Sequence, residues 1–224
     1  MKILSYVLYT ASIILMAAIV SLEFLPGMYV PETNRLIFSA VAVALLIIAS
    51  SIKVVSLKDS DEKIKTVRKS VWAIFIFYAV NLVILLFLSY GRTRTNFLNS
   101  DMNYRIYFRN YTNFIPFKAI IETFNALAHG NLRYVIIITL GNIFAFAPMA
   151  FFIPVLFKRI NSFKRFAFLM MAMIISVECL QFITMTGSMD IDDFILNFSG
   201  AIIMYIIIKL KFFNKLFKRL YITA

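Results

Sequence analysis

Carboxylate and amide side chains interrupt an apolar stretch in the last third of the chain. Glu178 and Gln181 lie in the middle of a hydrophobic run, and Asp190, Asp192 and Asp193 follow it closely. An ionised carboxylate inside hydrocarbon costs about 2.5 kcal/mol or more, so such residues are expected to have partners and a function. Buried carboxylates can exchange protons with a substrate, hold a cation or bind a polar ligand. Which of these applies depends on the elements that position them.

The composition places these residues in a membrane protein. Of the 224 residues, 62% are hydrophobic, compared with roughly 45–50% in soluble proteins. The net charge of +12 would suit a nucleic-acid partner, but the sequence carries no RNA- or DNA-binding motif, and the basic residues flank the apolar segments. We therefore expect no nucleic-acid partner. The single cysteine, Cys179, excludes an internal disulfide. Because the chain also has only one histidine, we expect neither a metal site nor a cofactor.

Six apolar windows are each close to the length of about 20 residues that a membrane-crossing helix requires. They cover residues 3–25, 36–55, 71–90, 134–157, 166–186 and 194–208. The sequence thus predicts an all-α, polytopic membrane helix bundle with about six transmembrane helices.

Lysine and arginine residues predict the orientation of this bundle, because they concentrate on the cytoplasmic side of membranes. With the N-terminus inside, the basic residues at 53–69, 158–165 and 209–219 all fall inside, which predicts an N-in, C-in topology. The one sizeable external segment is then residues 91–133, between the third and fourth helices. Its second part, around Ile121 and Phe124, is amphipathic and predicts a helix at the outer membrane interface. The alternative is a short helix packed on the bundle.

Helix geometry predicts the depth of the polar groups. At about 1.5 Å per residue, Asn142 lies roughly 12 Å below the outer surface, Glu178 at a similar depth and Asn197 about 5 Å down. Glu178 and Gln181 share one helix face, and so do Asp193 and Asn197, because their spacings are close to one helical turn.

These depths predict a polar pocket that opens to the outside of the membrane. Helices four to six would form it, with Asp190, Asp192 and Asp193 at its mouth. The external segment above could supply Arg105 and Arg109. Lipid cannot satisfy such groups, so they are expected to face one another or water.

Each of these residues also has a structural interpretation. Asp190 is suited to cap the sixth helix, with Asp193 at the third helical position. Asn142 and Gln181 are suited to bond neighbouring helices to each other. Pro148 lacks a backbone donor and predicts a kink in the fourth helix near Asn142.

Four segments occur in an order that resembles a known family. They read "RNYTNFIPFKAI", "GNIFAFAPMAFFIPVLF", "SVECLQF" and "DIDDFILNFSGAIIMY". In this order and on apolar helices they resemble the VanZ-like family of bacterial membrane proteins, over about residues 109–205. The resemblance divides the chain into residues 1–90, three transmembrane helices without a family signature, and a VanZ-like region at residues 91–224.

The resemblance singles out the positions that match the family's motifs. They are Arg109, Asn113, Pro116, Phe117, Asn142, Pro148, Glu178, Gln181, Asp190, Asp193, Asn197 and Gly200. Two departures stand out. Ala150 occupies a position where the family usually has glycine. The segment between Gln181 and Asp190 lacks the arginine often found there, so Arg105 or Arg109 would have to pair with the acidic cluster instead.

The resemblance implies a bacterial plasma-membrane protein that modulates sensitivity to teicoplanin-type glycopeptides and lipoglycopeptides. A binding module is the favoured mechanism: the pocket, including Asp192, would hold a lipid or drug headgroup, with Arg109 pairing an anionic group and Asn113, Asn142 and Gln181 donating hydrogen bonds. The second mechanism is an enzyme on a lipid-linked cell-wall precursor, with Glu178 as general acid or base. The third is a small transporter or flippase.

Overall fold

The computed structural model describes residues 2–25, 31–88 and 104–222. The first part of the predicted external segment, residues 91–103, lies outside this range. The chain divides into two compact units, one of residues 1–81 and 215–224 and the other of residues 82–214.

The predicted membrane-spanning helices are confirmed. In the described part of the chain, six helical stretches are long and apolar enough to cross a membrane: Lys2–Leu22, Thr33–Ser56, Ser60–Leu88, Leu132–Leu156, Phe163–Ile183 and Ile191–Ile208. The fold is all-α apart from two very short strands. The orientation relative to the cytoplasm stays a prediction.

The first unit is built mainly from three helices. These are α1 (Lys2–Leu22), α2 (Glu32–Ser56) and α3 (Ser60–Val83). The last two residues of α3 belong to the second unit. Small side chains let α1 approach α2, so that the Ser12 hydroxyl donates to the Ala42 carbonyl at 2.7 Å. Arg35 on α2 pairs with Glu23 at 3.0 Å and donates to the Asn81 side-chain oxygen. The polar groups in this unit thus satisfy one another.

The second unit contains the remaining elements. They are a π-helical turn (Ile84–Leu88), α4 (Tyr104–Asn110), β1 (Thr112–Asn113), α5 (Lys118–Asn125), a 3-10 turn (Ala126–His129), α6 (Leu132–Ala145), α7 (Met149–Leu156), a 3-10 turn (Lys158–Ile160), α8 (Phe163–Ile183), β2 (Met189–Asp190) and α9 (Ile191–Ile208). A last helix, α10 (Lys211–Arg219), begins in this unit and ends in the first.

Helix α9 is the centre of the second unit. It packs against α5, α6, α7 and α8. Its closest approach is at Gly200, where an added Cβ would lie 2.0 Å from the Ile143 carbonyl oxygen of α6. Farther along, the Tyr205 ring stacks on Phe166 of α8, with 4.5 Å between centroids. This packing places the N-terminus of α9 beside α6 and α8.

The fourth predicted crossing is broken into α6 and α7 by a turn at residues 146–148. Pro148 stands at the N-cap of α7, where its missing N–H costs no hydrogen bond. The turn is closed by the Met149 N–H, which donates to the Phe146 carbonyl at 3.0 Å. The predicted interruption therefore exists, but it lies about one turn beyond Asn142.

Candidate functional site

Asp190 connects the segment at residues 112–113 to α9. It is the N-cap of α9, because its Oδ1 accepts the Asp192 N–H at 2.8 Å. The same oxygen accepts the Asn113 amide at 2.9 Å. These two residues also pair in register where β1 and β2 run parallel. Asp190 therefore has the predicted capping role and, in addition, holds residues 112–113 against α9.

Asp192 fixes the start of the amphipathic helix α5. Its carboxylate is only 1% exposed and accepts the Phe117 N–H at 2.5 Å and the Ile120 N–H at 3.1 Å. A carboxylate at a helix N-terminus satisfies donors that have no partner within the helix. Phe117 itself has a left-handed backbone, with φ of 66°. The side chains of Pro116 and Phe117 are exposed, so the described bonds to Phe117 use its backbone.

Asp193 joins α9 to α6. Its Oδ1 accepts the Asn142 amide at 2.5 Å. One turn later, the Asn197 amide donates to the Asp193 backbone carbonyl at 2.8 Å. Asn197 is buried, and its Oδ1 has no hydrogen-bond partner. Asn142, predicted roughly 12 Å below the outer surface, thus contacts Asp193, which was predicted at the pocket mouth.

Glu178 of α8 faces this same cluster. Its side chain is 7% exposed. Asp190 and Asp193 are near enough to act on the Glu178 carboxyl group electrostatically. Its Oε2 atom is buried without a hydrogen-bond partner. In a capping box the third helical residue would bond the N-cap N–H. In α9 the third helical residue is Asp193, and its carboxylate accepts the Asn142 amide instead.

Gln181 lies on the same face of α8 but has a different partner. Its amide donates to the Leu86 carbonyl in the π-helical turn at 2.9 Å. Gly187 leaves room for it, because an added Cβ there would be 3.2 Å from the Gln181 amide nitrogen. The Gly187 carbonyl accepts the hydroxyl of Tyr107, which is fully buried on α4. Sequence analysis did not identify Tyr107 or Gly187 as residues of the site. The only indication in the sequence is that both lie near the matched motifs.

Arg109 takes no part in the described contacts of this cluster. Its side chain is exposed on α4. Among the described residues, no ion pair of Arg109 is seen. The described partners of Asp190 and Asp192 are an amide and backbone N–H groups. The pairing expected of Arg109 is therefore not seen in the described part of the chain.

We define the α9 cluster as Asn113, Asn142, Glu178, Asp190, Asp192, Asp193 and Asn197. It brings together α6, α8, the start of α9 and the segment at 112–120. Within the described range, no three His, Cys, Asp or Glu side chains are arranged to hold a metal ion. Carboxylates and amides in this arrangement can bind a polar group or exchange a proton with it.

The comparisons with known proteins address this same region. The family model described as VanZ/LLP1 matches residues 75–214, which include every member of the α9 cluster. Neither the curated proteins nor the solved structures contain a match. The matched segment extends beyond residues 109–205, where the motifs were recognised, and covers well over half of the 224 residues. The chain is a multi-pass membrane protein that belongs to the VanZ/LLP1 family.

Proposed function

We propose that this chain acts in a bacterial plasma membrane, where it modulates sensitivity to glycopeptide and lipoglycopeptide antibiotics by binding a lipid or drug headgroup at the α9 cluster. Family membership supports the antibiotic role. The convergence of polar side chains supports binding at the cluster, and it is the observation that carries the proposal.

The convergence is more than interhelical bonding requires. The hydrogen bond from Asn142 to Asp193 at 2.5 Å already links α6 to α9. The cluster also contains Glu178 and Asn197, each with a buried oxygen that has no partner. A buried polar group without a partner costs about 1–3 kcal/mol. A bound headgroup would offset that cost.

The test is drug susceptibility of a glycopeptide-sensitive bacterium that expresses the full chain. We expect the wild-type chain to raise the minimum inhibitory concentration of a teicoplanin-type drug. Asp193→Ala removes the acceptor of Asn142 and should abolish the increase. Glu122→Gln is the matched control, because Glu122 is an exposed carboxylate on α5 outside the cluster. Membrane levels of the three proteins are compared by immunoblot.

Two outcomes would count against the proposal. The wild-type chain, present in the membrane, could leave the susceptibility to every glycopeptide tested unchanged. Alternatively, Asp193→Ala could protect as well as the wild type, in which case the α9 cluster would have no part in the effect.

A second candidate is an enzyme that acts on a lipid-linked cell-wall precursor. The observation in its favour is Glu178, a buried carboxyl group with one oxygen unpaired, since an acid or base must keep one oxygen available for the substrate. Purified protein would be incubated with the lipid-linked precursor and the lipids analysed by mass spectrometry. A new product with the wild type and none with Glu178→Gln would support the enzyme; unchanged precursor would reject it.

A further inference from the structure

The side-chain amides near the start of α9 all use their nitrogen within the protein. The four pairs are Asn113 with the Asp190 carboxylate, Asn142 with the Asp193 carboxylate, Asn197 with the Asp193 carbonyl and Gln181 with the Leu86 carbonyl. Carboxylates in their ionised form and carbonyls only accept hydrogen bonds, so an amide beside them must present its N–H₂ group. The chemistry of the partners therefore determines the orientation of all four amides.

This orientation leaves acceptors, not donors, without partners. Glu178 Oε2 and Asn197 Oδ1 are both buried and unpaired, and their side chains are 7% and 4% exposed. Asn197 is hydrogen-bonded to the Asp193 carbonyl, and the Asp193 carboxylate is near enough to Glu178 to act on it electrostatically. These two oxygens of the α9 cluster thus lack a hydrogen-bond donor. The nearby carboxylates favour a donor that carries a positive charge.

We propose that the group bound at the α9 cluster is a protonated primary amine, with Glu178 Oε2 and Asn197 Oδ1 as its acceptors. This inference depends on the proposed function, in which the cluster binds a headgroup. An ammonium group has three donors and no acceptor, which matches two unpaired oxygens beside a carboxylate. An anionic group would instead be repelled by the carboxylates of Asp190 and Asp193.

Divalent metal ions fit the cluster less well. Calcium takes six to eight oxygen ligands, usually including several carboxylates. In the described part of the chain, no three His, Cys, Asp or Glu side chains are placed so that together they could hold a metal ion. An amine needs only the two or three oxygens that are present.

Two sources supply a primary amine at a membrane surface, the ethanolamine headgroup of a phospholipid and the free amine of a glycopeptide.

Native mass spectrometry of the full chain in phosphatidylcholine nanodiscs tests the inference. One pair of probes is short-chain phosphatidylethanolamine and its N-acetylated form. The other pair is a glycopeptide with a free amine and the same drug N-acetylated. We expect at least one free amine to be retained by the wild type, and the acetylated partner to bind about tenfold or more weakly, because it lacks the charge-assisted bond.

Variants then locate the site. Glu178→Gln should reduce the retention of the amine probe about tenfold, whereas the exposed control Glu122→Gln should bind it like the wild type. Thermal unfolding verifies that the variants are folded. If Glu178→Gln does not fold, the comparison of free and acetylated probes on the wild type still decides the question.

The outcomes separate the two proposals. Preference for phosphatidylethanolamine or for the free drug amine supports the inference and identifies the source. Equal retention of free and acetylated probes, or wild-type binding by folded Glu178→Gln, overturns the amine while leaving headgroup binding in place. Retention of none of the four probes overturns both.

Discussion

Gly200 marks the closest contact between α9 and α6. An added Cβ would lie 2.0 Å from the Ile143 carbonyl oxygen and 2.8 Å from its carbon, so only glycine fits without a shift of backbone. Gly141 on α6 differs, because an added Cβ there would meet nothing within 4 Å. The two glycines thus form a matched pair, one required by packing and one not.

Gly200→Ala should destabilise the protein by about 1–3 kcal/mol or more, as overpacking against backbone does. Gly141→Ala should leave the stability unchanged or raise it by up to about 1 kcal/mol, because alanine favours the helix. Thermal unfolding of both variants in the same detergent measures the difference. Equal unfolding temperatures for the two variants would contradict the close contact at Gly200.

Sequence reasoning reached some of the residue contacts but not others. Helix rise predicted that Asn142 and Glu178 would lie at a similar depth, with Asp193 above them at the pocket mouth. It did not predict the direct bond between Asn142 and Asp193. It did not predict the contacts of Asp192, whose partners at Phe117 and Ile120 are 75 and 72 positions away. The expected pairing of Arg109 with the acidic residues is not seen in the described part of the chain, because the length of a segment does not determine where its side chains point.

At the scale of elements, α5 depends on α9. Asp192 supplies the acceptors for its first turn, and the helix packs on α6 and α9. Yet Ile121 and Phe124 remain exposed on its other side. The contacts agree with the alternative of a helix packed on the bundle. That the exposed apolar face lies at the outer membrane interface stays a prediction.

Asp192→Ala should loosen the start of α5. It leaves the Phe117 and Ile120 N–H groups without their acceptor, at a cost of about 1–3 kcal/mol for a buried group. Hydrogen–deuterium exchange should become faster in peptides that cover residues 117–121 and stay unchanged in α1. Asp61→Ala in the exposed first turn of α3 is the control. Unchanged exchange at residues 117–121 would show that α5 does not need Asp192.

The exposed face of α5 provides a separate prediction. With Trp72 replaced by phenylalanine, Phe124→Trp places the only indole on this face. Its fluorescence should be quenched by lipids brominated near the headgroup, because the outer interface is where an amphipathic helix lies. No quenching by any brominated lipid would mean that α5 stays away from the membrane.

Sequence patterns predicted the elements better than their ends. All six spans follow from apolar runs of the right length. The break at residues 146–148 was expected near Asn142, because a proline indicates that a helix is interrupted but not which residues form the turn. The pairing of β1 and β2 involves two residues of each strand, too few for any periodicity to indicate.

At the scale of the whole molecule, the family match and the compact units nearly coincide. The VanZ/LLP1 match covers residues 75–214 and the second unit covers residues 82–214. The second unit thus contains the α9 cluster, while the first holds its own polar contacts between Arg35, Glu23 and Asn81. Family membership therefore concerns the unit in which the candidate site lies.

The N-in, C-in topology is a prediction for the intact chain. In a Cys179→Ala background, a cysteine at position 122 on α5 should react with a membrane-impermeant maleimide in intact cells. A cysteine at position 61 on α3 should react only after permeabilisation, because the basic segment around it is expected inside. The reverse pattern would place the α9 cluster on the cytoplasmic side and exclude an external headgroup as its ligand.

A high-resolution crystal structure of the full chain grown in native lipid tests the central claim, that the α9 cluster receives an external headgroup. We predict density for a bound group within about 3.2 Å of Glu178 Oε2 or Asn197 Oδ1. The contrary result would be a cluster without such density, in which protein groups donate to both oxygens.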